Sequence, residues 1–188
     1  METIRELLSS DFDSILEIVN DAAQAYRGVI PEDRGREPYM SAEELREEID
    51  AGVKFYGWVE DRRLVGVMGI QPVKDTTLIR HSYVLKKYQG RGIGRKLLEH
   101  LISIAVTSEI LVGKWKSASW AIRFYEKNGF KLTSDKEKDR LLRKYWRIPD
   151  RQISTSVVLK FKSHSERAIP RERDKRDQEH PSKNTHFA

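Results

Sequence analysis

YQGRGIGRKLLEHL, residues 88–101, sets three glycines at alternate positions, Gly90, Gly92 and Gly94, directly before a helical apolar pattern. Glycine is the poorest helix former after proline, so three of them at a helix start need another explanation. The first N–H groups of a helix have no partner inside it, and the helix dipole favours negative charge at that end. Without side chains a pyrophosphate can touch the backbone. Each glycine also reaches positive φ freely, so consecutive amides can curl around an anion. Arg91 and Arg95 add positive charge at the rim. The stretch therefore points to an anion site, with a diphosphate as the expected ligand. A glycine turn that only lets helix and strand pack closely is the other reading of the pattern.

Two familiar phosphate loops do not fit. The dinucleotide fingerprint G-x-G-x-x-G needs glycine where Arg95 stands and an acid at the end of the next strand, which here ends VGKW. A Walker loop needs Lys-Ser/Thr after its second glycine, and Ile93 and Gly94 occupy those positions.

Outward from this point the patterns alternate. TIRELL (3–8) reads as a strand, and SSDFDSILEIVNDAAQAY (9–26) as a helix with apolar spacing at Phe12, Ile15, Leu16, Val19, Ala22 and Ala23. MSAEELREEI (40–49) carries a capping box, Ser41 with Glu44, and a staple pair, Met40 with Leu45. The segments 53–60, 63–73 and 76–86 are rich in β-branched and aromatic residues, have short polar breaks, and read as an antiparallel meander. The glycine helix presents Ile93, Leu97, Leu98, Leu101, Ile102 and Ala105 on one face. EILVGKW (109–115) reads as a buried strand. SASWAIRFYEKNG (117–129) reads as a helix stopped by Asn128-Gly129. FKLTSD (130–135) and ISTSVVLKFK (153–162) close the domain as strands, with a helical stripe in RLLRKYWR (140–147) between them.

Composition bounds the rest. A chain of 188 residues suits one domain. No run of ~18 apolar residues spans a membrane, and the acidic start lacks a secretion signal, so a cytoplasmic protein is expected. Absence of cysteine excludes disulfides, thiolate metal sites and a cysteine nucleophile. The five histidines show no metal spacing, so no metal is expected. The net charge of +6 is spread along the chain, and nucleic acid is not an expected partner. Leu141, Leu142, Tyr145 and Trp146 form a stripe that suits core packing better than base stacking. Residues 164–188 hold 6 Lys/Arg against 5 Asp/Glu and few apolar side chains, so a disordered tail is expected after a domain of residues 1–163.

QGRGIG (89–94) resembles the Q/R-x-x-G-x-G/A signature of the GNAT superfamily of acyl-CoA-dependent N-acetyltransferases. WAIRFYEKNGF (120–130) resembles that family's second signature, in which a helix carries a tyrosine just before an N-G-F turn. The resemblance spans roughly residues 2–162. It implies an α/β fold of the α+β type: a mixed, mostly antiparallel sheet of six to seven strands, flanked by helices and splayed between strands four and five, where acyl-CoA lies. It further implies that backbone amides of Gly90, Arg91, Gly92, Ile93, Gly94 and Arg95 hold the CoA pyrophosphate. The backbone of Ser82, Tyr83 and Val84 would meet the pantetheine arm, and Tyr125 would stand at the CoA sulfur. An asparagine often lies seven positions before that tyrosine. Ala118 stands there in this chain, leaving Ser117 or Ser119 as substitutes.

The implied reaction is acetyl transfer from acetyl-CoA to a primary amine of a small molecule or peptide, by direct attack through a tetrahedral intermediate. The alternative is a non-catalytic acyl-CoA-binding sensor or interaction module of the same fold. Homodimers are common in the family. A lysine-like amine of pKa ~10.4 is neutral in about one molecule in 2,500 at pH 7, so deprotonation costs ~4.6 kcal/mol and a base is needed. Some relatives use a strand glutamate, but Gly113 stands at one such position and strand four has none. His81, on strand four, is the expected base because its ordinary pKa of ~6.5 suits neutral pH. Glu32 or a water chain are the alternatives. Full proton transfer from a phenol at ~10 to a thiolate at ~8.5 is uphill by ~2 kcal/mol, so Tyr125 is expected to share a hydrogen bond with sulfur. The amine pocket is expected between the 27–40 loop, with Arg27, Glu32, Arg34, Arg36, Glu37 and Tyr39, and the region of strands six and seven.

Overall fold

The computed structural model describes residues 1–33 and 37–163. Arg34, Arg36 and the expected tail lie outside the described residues. The elements run β1 (Glu2–Glu6), α1 (Phe12–Ala23), α2 (Ala42–Asp50), β2 (Lys54–Glu60), β3 (Arg63–Val73), β4 (Thr76–Val84), α3 (Ile93–Ile104), β5 (Glu109–Trp115), α4 (Ser119–Lys127), β6 (Lys131–Leu132), α5 (Asp135–Tyr145), α6 (Asp150–Ser154) and β7 (Ser156–Lys162). They build one seven-stranded sheet in the order β1-β2-β3-β4-β5-β7-β6. Every neighbouring pair is antiparallel except β4 with β5, which is parallel. The mixed, mostly antiparallel sheet expected from the sequence is therefore present. Among the described residues, no helix is long and apolar enough to cross a membrane.

Local chemistry accounts for most boundaries. The Ser41–Glu44 capping box forms as expected: Glu44 donates its backbone N–H to Ser41 Oγ at 3.2 Å, and Ser41 N–H donates to Glu44 Oε2 at 2.8 Å. α4 ends at Asn128, and Gly129 takes the left-handed φ of 88° that such a stop requires. Two expectations shift. The strand expected over 130–135 pairs only at Lys131–Leu132, because Ser134 accepts the Glu137 N–H at 3.3 Å and starts α5. Ile153 and Ser154 belong to α6 rather than to the last strand. The stripe Leu141, Leu142, Tyr145 and Trp146 is buried in the core, as its spacing predicts.

Thr76 through His81 are all buried on β4. Successive strand residues point to opposite faces, so both faces of this strand are covered. α1 packs on β3 and β4, α3 on β2 through β4, and α5 and α6 on β7. Two irregularities in β4 position the cleft and its side chains. Val67 pairs with Tyr83 and Gly69 with Arg80, so Met68 alone faces His81 and Ser82 in a β-bulge. His81 carries the bulge with φ of 50°, a left-handed conformation uncommon for a residue with a side chain. The second irregularity is that β4 and β5 pair only at Thr77–Ile110, Leu78–Leu111 and Ile79–Val112. Both strands then continue, to Val84 and Trp115, without pairing further with each other, which is the splay the resemblance implied.

A buried polar network braces β4 from α2. Arg80 donates to Glu48 at 2.7 Å and to Gln71 Oε1 at 2.8 Å, while Gln71 Nε2 donates to the Ala51 carbonyl at 2.8 Å. Burial alone would raise the Glu48 carboxyl, but Arg80 and then His81 outweigh it and hold it at about 2. That contribution to stability is present above the ordinary carboxylate range and is lost as the pH falls toward 2. Glu48→Gln should lower the unfolding free energy by roughly 3 kcal/mol at pH 7, since it leaves Arg80 buried without its counter-charge. Urea denaturation checks this; a variant as stable as its parent contradicts it.

Candidate active site

The splay opens a cleft whose two cavities adjoin across Val84, Gln89, Gly94 and Phe124. The outer one, about 830 Å³, is lined by the glycine loop, the start of α3, and residues of α4 and β7 that include Lys127 and Phe161. The inner one, about 490 Å³, lies between β4 and β5 and is lined by Ser82, Tyr83, Lys114 and Tyr125, with Tyr26, Met68 and Trp120 among its other walls. Beyond Ile79 the β5-facing edge of β4 carries no strand.

At the outer cavity Gly90 and Gly92 have φ of 78° and 79°, and Gly92 is the N-cap of α3 with no side chain capping it. A Cβ built on either glycine would meet no atom within 4 Å, and one on Gly94 would make only ordinary contact with Phe124, 3.5 Å away. Close packing within the protein therefore does not require these glycines. Positive φ requires glycine at positions 90 and 92, and the clear space above the amides of the first turn leaves room for an anion. Arg91 and Arg95 are exposed at the rim, and each is paired with a carboxylate, Glu60 at 2.8 Å and Glu99 at 2.7 Å.

Tyr125 is 1 % exposed and lies edge-on to Phe124 and Phe130. Its hydroxyl shares a hydrogen bond of 2.6 Å with Ser82 Oγ. Burial pushes its phenol well above the ordinary range, and the Ser82 bond opposes that only in part. Ionisation is thus disfavoured, and the group suits sharing a proton rather than surrendering it.

His81 does not reach the cleft. It is 0 % exposed, lines neither cavity, stacks obliquely on Phe55 at 5.7 Å, and sets Nε2 3.2 Å from Glu48 Oε2. Burial lowers its pKa, although Glu48 opposes the shift. The bulge explains the departure from expectation, because the left-handed turn at position 81 sends this side chain toward α2 and leaves Ser82 and Tyr83 facing the cleft. Glu32 is exposed and also lines neither cavity.

The structure brings in a residue that motif reading passed over. Lys114, next to Gly113 on β5, is 2 % exposed, and its Nζ lies 5.3 Å from the centre of the Tyr125 ring. Among the described residues, none accepts a hydrogen bond from Nζ or forms an ion pair with it. Burial, then the Arg80 charge, lowers its pKa to about 7. A lysine inside the otherwise apolar run ILVGKW (110–115) was the available signal. Of the expected 27–40 loop, Tyr39 is buried and stacks on Tyr26 at 5.5 Å, Arg27 pairs with Glu37, and all three line a groove beside α1 that meets the inner cavity at Tyr26. Ala118 is buried at the start of α4, and Ser117 and Ser119 are exposed and line neither cavity.

Residues 51–132 match the family model described as acetyltransferase (GNAT) domain. The fold is similar to that of PaiA N-acetyltransferase from Thermoplasma acidophilum in complex with coenzyme A (TM-score 0.67, 22% identity, covering 87% of this chain and 99% of that one). It is also similar to the ribosomal-protein-S18-alanine N-acetyltransferase from Escherichia coli (TM-score 0.64, 18% identity, 90% and 99% covered). A third similar structure is a GNAT family acetyltransferase from Elizabethkingia anophelis with acetyl-CoA bound (TM-score 0.56, 21% identity, 86% and 98% covered).

The Lys114 environment has a measurable consequence for stability. A lysine whose folded pKa is depressed to about 7 destabilises the fold at low pH, and this penalty fades as pH rises above 7. Lys114→Met should therefore be more stable than the parent at pH 7, and raising the pH to 9 should close the gap by roughly 2 kcal/mol. Urea denaturation of both proteins at the two pH values reads this. A gap that does not change with pH contradicts it.

Proposed function

We propose that this GNAT-fold chain, with residues 51–132 matching the family's acetyltransferase domain, moves an acetyl group from acetyl-CoA to a primary amine by direct attack. The observation that carries this reading is that one cleft joins a bare helix start to a buried tyrosine. At one end are the side-chain-free amides of Gly90–Arg95, and at the other the Ser82–Tyr125 hydroxyl pair.

The residues fit the donor part by part. Amides of Gly90, Arg91, Gly92, Ile93, Gly94 and Arg95 would hold the pyrophosphate, as N–H groups at a helix start hold anions elsewhere. The unpaired edge at Ser82, Tyr83 and Val84 would hydrogen-bond the extended pantetheine arm as a neighbouring strand would. That edge would also orient the thioester carbonyl. A neutral amine entering the inner cavity attacks this carbonyl; a C–N bond forms, and the C–S bond breaks as the tetrahedral intermediate collapses. Tyr125, whose phenol resists ionisation, donates a hydrogen bond to the leaving sulfur as charge develops there.

Three measurements test the reading. Gly92→Glu puts a negative charge against the pyrophosphate and should weaken CoA binding at least ~100-fold, about 2.8 kcal/mol, while circular dichroism stays native. Unchanged affinity would refute the loop assignment. Tyr125→Phe should lower kcat about 10²-fold with acetyl-CoA affinity preserved; an unchanged kcat removes Tyr125 from the chemistry. Thiol release from acetyl-CoA should occur with at least one member of a primary amine panel. No release beside tight CoA binding would leave the acyl-CoA-binding module instead.

A further inference from the structure

Lys114 is not explained by the fold. It stands on β5 two residues beyond Val112, the last residue to pair with β4, and its backbone partner across β7 is Val157. Its side chain is buried, makes no described hydrogen bond or ion pair, and lines the inner cavity beside Ser82 and Tyr125. A buried lysine normally finds a carboxylate or deprotonates. The described residues that line this cavity include no Asp or Glu. The groups around Lys114 are Arg80 and His81 on β4 and Tyr125 on α4. Glu48 on α2 is occupied by Arg80 and His81.

From this geometry we propose that Lys114 is the proton acceptor for the attacking amine, and that it suits the cleft to α-amino groups rather than to lysine-type or polyamine nitrogens. The inference rests on the acetyl-transfer reading above. The incoming ammonium gives one proton to the lone pair of Lys114 Nζ, and the freed amine forms the C–N bond while the C–S bond breaks. The proton lost from nitrogen as the amide forms ends on the CoA sulfur, and Lys114 returns its own proton to solvent. With its pKa lowered to about 7, Lys114 is about half neutral at pH 7 and increasingly neutral above it. Such a base takes a proton from an α-ammonium of pKa ~8 over a hundredfold more readily than from a lysine-type ammonium of ~10.4. The lining works in the same direction, since no carboxylate among its described residues pairs with a second ammonium group.

The test uses the full chain with two acceptors of identical composition, Nε-acetyl-lysinamide with a free α-amine and Nα-acetyl-lysinamide with a free ε-amine. Wild type should favour the α-amine at least tenfold in kcat/KM at pH 7, with a rising pH limb near 7. Lys114→Met and Lys114→Arg should both lose about 10²-fold or more and lose that limb, with acetyl-CoA affinity kept as proof of folding. Lys114→Arg is decisive because it carries a permanent positive charge and cannot act as a base. If it matches wild type, Lys114 is a charge anchor and the inference is overturned. An ε-amine used as well as the α-amine overturns it too. If wild type turns over neither acceptor nor any other amine, the acetyl-transfer reading fails and this inference fails with it.

Discussion

The architecture depends on an incomplete strand pairing. β4 and β5 run parallel, share three residue pairs, and then separate. Their first halves are pinned by side chains, with Thr77 and Thr107 hydroxyls 2.8 Å apart and Thr76 donating to the Glu109 carbonyl at 3.0 Å. Their second halves leave β4 with a bare edge in the middle of a sheet, where backbone groups otherwise find partners. A sheet interrupted in this way makes a cleft with rigid walls, and α3 and α4 supply its ends, the glycine start at one and Tyr125 at the other.

The β4 bulge decides which side chains enter the cleft. One extra residue at His81–Ser82 changes the alternation, so His81 turns toward Glu48 and Ser82 meets the Tyr125 hydroxyl. The Glu48–Arg80–Gln71 network holds this region from behind. With Glu48 committed to Arg80 and His81, it does not neutralise Lys114, and among the described residues the lysine reaches the cleft without an ion-pair partner.

Much of this was legible in the sequence. The alternating glycines marked the outer end of the cleft, because helix starts impose their chemistry on few residue types, whereas Tyr125 was pointed to only by the family resemblance. The helix begun at Ser41 was legible for the same reason. His81 was not, since a bulge shifts alternation by one residue without a glycine or proline to announce it. Lys114 was signalled only as a lysine in an apolar strand, and its lack of an ion-pair partner among the described residues depends on tertiary contacts that strand patterning does not encode. The short β6 was misjudged because Ser134 reads equally well as a strand residue and as a cap.

The central claim is that acetyl-CoA lies along the β4 edge with its pyrophosphate on the start of α3. Backbone amide shifts of the ¹⁵N-labelled chain during titration with CoA test this most directly. Saturable changes, largest at Gly90–Arg95 and Ser82–Val84, are the predicted result. Saturable changes confined to other parts of the chain, or none at all, would contradict it.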